Sequence, residues 1–110
     1  DYIYARFFLH AINENKQNIF FQNSYNMLKK NGLLCLEFRT INDILFKKGK
    51  KISHNERITD HYRRFINPSV LLKELKMNFN FKVFYCKSST RFAIFNKQKP
   101  DVCRLILKKT

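Results

Sequence analysis

A chain of 110 residues holds one domain at most, and 45% apolar with 15% aromatic content is too rich for a disordered tail. No apolar run approaches the roughly 20 residues of a membrane span, and no charged leader is visible. The excess of 22 basic over 8 acidic residues, a formal charge of +14, invites a nucleic-acid reading. That reading is discounted because Asn, Lys, Ile, Phe and Tyr make up almost half the chain while Gly, Ala and Pro are scarce. This bias resembles AT-rich coding, which raises Lys everywhere.

Taken in order, Asp1 to Tyr4 reads as the end of a strand, and Arg6 to Ile12 as an aromatic turn or short helix. Asn13 is a good N-cap for a helix over Glu14 to Lys30, with Phe20, Met27 and Leu28 on one face. Asn31-Gly32 supplies its left-handed stop. Leu33 to Phe38 is a near-continuous apolar run, as in strands covered on both faces. Residues 41–66 read as an irregular insert, with the charge run Lys47 to Lys51 as an exposed turn. Asn67 and Pro68 open a short helix to about Met77. Phe79 to Cys86 and Val102 to Leu107 read as strands able to pair antiparallel, separated by a loop with a short strand at Phe92 to Phe95. The alternation predicts an α/β fold, with a mostly parallel sheet ending in an antiparallel pair.

Ligands in such sheets bind at the carboxyl ends of the strands. That edge should carry Arg6, His10, Glu37 and Arg39, with the insert behind them. Glu37 and Arg39 share a face opposite Leu36 and Phe38, and charges leaving a buried strand need partners or a ligand. The string Asn55 to Arg64 is the densest titratable set. In it His61 is a candidate general base, Asp60 can orient it, and Arg63 and Arg64 can clamp a carboxylate or phosphate. The competing reading is a solvated loop with exposed ion pairs. Cys35, Cys86 and Cys103 are odd in number, have no zinc-ligand spacing and read as small buried hydrophobes. No phosphate loop, metal motif or nucleophile elbow is present.

Tyr2 to Ile12 resembles the fourth strand and following turn of class I S-adenosylmethionine-dependent methyltransferases. Asn31 to Arg39 is similar to that family's glycine followed by its fifth strand. Asp60-His61-Tyr62-Arg63-Arg64-Phe65-Ile66 resembles a motif of bacterial members found with capsule and surface-polysaccharide biosynthesis, and Val102 to Lys108 the last strand, inserted antiparallel beside the sixth. The resemblance implies the substrate-side half of a Rossmann-like domain spanning residues 1–110, with the cofactor's glycine-rich loop and ribose carboxylate supplied upstream. It implies that Tyr4, Arg6 and Phe7 line S-adenosylmethionine. His61 or His10 would act as base, while Glu37, Arg39, Asp60, Tyr62, Arg63 and Arg64 face a small or sugar-linked acceptor. No metal is implied.

Half of a doubly wound sheet has an open edge, so the expected partner is the missing half or a second copy. The chain is expected in the cytoplasm. The alternatives are a nucleic-acid-binding module, using aromatics interleaved with Lys and Arg over Phe79 to Arg91, and a methyltransferase-like interaction domain without catalysis.

Overall fold

A computed structural model describes residues 1–94 and 99–110. The apolar run becomes a central strand, β2 (Leu33–Arg39), whose Leu34, Leu36 and Phe38 are completely buried on one face. Strand β1 (Tyr2–Arg6) lies parallel to it, joined by helix α1 (Glu14–Met27). Helix α2 (Ile44–Lys48) and three short strands, β3 (Lys50–Lys51), β4 (Glu56–Ile58) and β5 (Tyr62–Arg64), follow. Helix α3 (Pro68–Asn78) leads into β6 (Phe81–Ser89), and the chain closes with β7 (Val102–Lys109). The main sheet has the order β1-β2-β7-β6, with β7 antiparallel to both neighbours.

The fold is α/β, but the sheet is mixed and mostly antiparallel, not mostly parallel. Only β1 and β2 are joined by a helical crossover as neighbours; β7 enters between β2 and β6 from the opposite direction. An apolar run has the same sequence pattern whichever way its neighbour points, so strand direction was not readable from it.

Both long helices pack on one face of the sheet. Phe21 and Leu28 from the α1 region and Leu71 and Leu75 from α3 meet Ala5, Leu34, Leu36, Phe38, Leu105 and Leu107. The buried stripe of α1 is Gln17, Phe21 and Ser24, continued by Leu28, at helical spacing. It is rotated from the expected face, because Met27 lies 73% exposed. Helix α1 ends three residues early, and the last strand caps it: Lys109 Nζ donates to the carbonyls of Tyr25 and Leu28 at 2.6 and 2.8 Å. Asn13 and Asn67 cap α1 and α3 as expected, accepting from Lys16 N and from Ser69 and Val70 N.

The left-handed residue after α1 is Asn31 (φ 70°), not Gly32. The insert is ordered rather than irregular: β3, β4 and β5 form a small antiparallel sheet. At its centre Arg57 lies over the Phe46 ring at 4.0 Å and donates to the carbonyls of Phe46, Ser53, His54 and Glu56. Residues 92–94 do not form the expected strand; Phe95 lies outside the described residues. Cys103 is buried as expected, Cys35 half-buried, and Cys86 exposed, because it sits on the edge strand β6.

Candidate functional site

The expected residues fall into two groups at the carboxyl ends of β1 and β2. The first is a row across the open face of the sheet. Register places Arg6, Glu37, Arg104 and Lys87 side by side on β1, β2, β7 and β6. Glu37 is only 7% exposed. Its Oε1 accepts from the Tyr4 hydroxyl, and the guanidinium Nε atoms of Arg6 and Arg104 stand 3.7 and 3.6 Å from its carboxylate. The carboxylate beside it raises the Tyr4 phenol above its ordinary value, with burial adding to the effect. Glu37 Oε2 and Arg104 Nε are buried without a hydrogen bond.

At the end of β1 the backbone turns sharply. Phe7 sits in the left-handed region (φ 55°), costly for a bulky residue, and its amide donates to Glu37 O at 2.8 Å. The turn Leu9–Ala11 then carries His10, which is 8% exposed and tilted on the Phe7 ring at 5.5 Å.

His10 belongs to the second group, where β2 and β5 both pack on this turn. Burial, then the charges of Arg39, Arg63, His61 and Arg64, lower its pKa to about 4, so the ring is neutral near pH 7. Arg39 pairs with buried Asp43 at 3.1 Å; burial pulls its pKa down, yet guanidinium stays charged. Asp43 also accepts from Leu45 N and Asp101 N, tying the insert to the start of β7. His61 is exposed, its Nδ1 3.1 Å from Asp60 Oδ1, a geometry that the competing reading of a solvated loop with exposed ion pairs also describes. The Thr59 hydroxyl and Arg63 hold the Asp60 carboxyl well below the usual range.

Arg64 and Tyr62 point elsewhere. Arg64 is buried, donating to the carbonyls of Leu9 and Ile12 and to Gln17 Oε1. That guanidinium staples the insert to α1. Tyr62 donates to Glu56 Oε2 at 2.6 Å; burial and that bond push its pKa up to about 12. A hollow of about 750 Å³ lies between the N-terminal ends of α1 and α3 and the small sheet. Of the expected site residues it includes only Arg64. The chemistry-bearing cluster and this hollow are therefore different places.

Sequence reasoning missed Arg104 and Asp43. Arg104 was findable, since it interrupts an otherwise apolar strand at the position that faces Glu37. Asp43 carried only a capping signal.

Among the described residues no group of three or more His, Cys, Asp or Glu could hold a metal ion, and no helix is long and apolar enough to cross a membrane. No protein-family model matches the chain, and no curated protein matches it.

Proposed function

We propose that this chain is the substrate-side half of an S-adenosylmethionine-dependent methyltransferase acting on a small or sugar-linked acceptor, completed by an upstream half. The observation that carries this reading is the strand order. β1 and β2 run parallel through α1, and the last strand is reversed between β2 and β6, in keeping with the arrangement implied by the resemblance. A second support is the bare side of the sheet. β1 has a free outer edge among the described residues, and the face opposite the helices exposes Tyr2 and Tyr4. An upstream half with its own strands and helices would cover both.

The residues present fit one wall of a cofactor site. Tyr4 and Phe7 offer aromatic surface beside the Glu37 carboxylate, which suits a sulfonium cation. S-adenosylmethionine, when bound, supplies an electrophilic methyl group. The chain's own part is to hold the acceptor and remove its proton. His61, oriented through Nδ1 by Asp60, takes the hydroxyl proton on its other ring nitrogen. His10, with its pKa near 4, is too weak a base for that step and serves as a neutral hydrogen-bonding partner. Arg39 and Arg63 face the acceptor, while Arg64 holds the insert in place.

Calorimetric titration with S-adenosylmethionine tests the reading. Residues 1–110 alone should bind weakly or not at all, and the chain joined to its upstream segment should bind saturably. Tight binding to residues 1–110, or none by the longer chain, would overturn it.

One observation favours a second reading, a single-strand nucleic-acid binder. The open sheet face carries Tyr2, Tyr4 and Tyr85 among Arg6, Arg104, Lys87 and Lys108. Stacking on such a face would give affinity that falls steeply with salt, and weak, salt-insensitive association with oligonucleotides would eliminate it.

A further inference from the structure

One buried side chain is left without a partner where positive charge gathers. His10 Nδ1 is fully buried and makes no hydrogen bond. The turn that carries it packs on β2, which ends in Arg39, and on β5, which carries Arg63 and Arg64 with His61 just before it; the three guanidinium charges, and His61 whenever it is protonated, bear on the ring. The acidic groups on or beside these elements are Glu37, Asp43 and Asp60, and Glu37 is engaged by Tyr4, Arg6 and Arg104. Asp43 is committed to Arg39 Nη1 and to two backbone amides. Asp60 is shared between His61 and Arg63. Arg64 has only neutral oxygens as hydrogen-bond partners, so the balance at His10 stays positive. Among the described residues Arg39 engages one nitrogen of its guanidinium, and the rest of the fork is open.

Guanidinium forks match planar oxyanions, and a neutral imidazole can take up a proton as negative charge arrives. We propose that the cluster of Arg39, His61 and Arg63 around buried His10 seats an oxyanion, phosphate or carboxylate, carried by the acceptor. Assigning the anion to an acceptor rests on the methyltransferase reading; the seat itself stands on the geometry of the cluster. The implied substrate class is an acidic or phosphorylated small molecule or sugar.

Inorganic phosphate and glucuronate are titrated into the chain while the His10 ring is followed by NMR. Saturable shifts with at least one probe are expected, with the ring titrating at higher pH in the bound state. A response to phosphate alone supports a phosphorylated acceptor, and one to glucuronate alone supports a sugar acid. Arg63→Gln should weaken the binding about tenfold, the worth of one charged hydrogen bond. Lys47→Gln, an exposed cation on α2, should leave it unchanged. Silence at His10 with both probes, or equal weakening by the two variants, overturns the seat. Phosphate binding without S-adenosylmethionine binding by the longer chain sinks the methyltransferase reading and leaves the seat standing. The reverse result sinks the seat alone.

Discussion

The Tyr4 hydroxyl donates to Glu37 across the parallel pair β1–β2, linking an exposed phenol to a buried carboxylate. Tyr4 is 54% exposed, so the bond is worth about 1 kcal/mol. Tyr4→Phe should lower unfolding stability by that amount. In Glu37→Gln the Tyr4 ring, followed by NMR, should titrate closer to an ordinary phenol, because the neighbouring negative charge is gone. An unchanged titration would mean that Glu37 does not govern Tyr4.

Arg64 was expected to clamp substrate, and its buried bonds to Leu9, Ile12 and Gln17 predict a different phenotype. Arg64→Leu leaves those oxygens unpaired and should cost about 3 kcal/mol. Arg64→Lys should recover part of this, since a point charge reaches fewer acceptors than a planar fork. Thermal unfolding of the two variants checks the order. A loss typical of surface positions, within about 0.5 kcal/mol, would contradict the stapling role.

His10 should make the fold sensitive to mild acid. Its pKa is about 4 when folded against 6.5 for an ordinary histidine. The unfolded chain therefore takes up this proton first, and stability falls as pH drops from about 6.5 to about 4. The loss is at most about 3 kcal/mol. Urea unfolding of wild type and His10→Phe across that range should give curves that coincide in shape above pH 6.5 and diverge below it. Parallel curves throughout would show that His10 is not the group responsible.

Gly32 is required by space rather than by backbone angle. A Cβ there would lie 2.9 Å from the Lys29 carbonyl oxygen and 2.9 Å from Leu28 Cδ2. Gly32→Ala should destabilise by about 1–3 kcal/mol, as overpacking does. Asn31→Gly, at the left-handed position, should be close to neutral. Denaturant midpoints of the two variants separate a steric origin from a conformational one.

Much of the frame was legible because its signals are local. Asn13 and Asn67 announced their helices by capping chemistry, and the apolar run from Leu33 announced the central strand. Glu37 and Arg39 were found because charge at the exit of such a strand is conspicuous. The insert was illegible for the opposite reason. Its strands are two or three residues long, and a guanidinium, that of Arg57, fills the place that apolar side chains usually take. The antiparallel pairing of the last two strands was expected, but the pairing of β7 with β2 and the capping of α1 by Lys109 depend on contacts between residues 63 to 84 positions apart, which no window of sequence contains.

The amino end of β1 and the far end of β7 flank one short stretch of β2. Leu33 N donates to Asp1 O at 3.0 Å, and Lys109 N to Gly32 O at 2.9 Å. Two strand spacings, about 10 Å, separate these positions. Labels at Asp1 and Lys109 would therefore sit on opposite flanks of the same strand end, and the distance between them reports whether β2 keeps both of its neighbours.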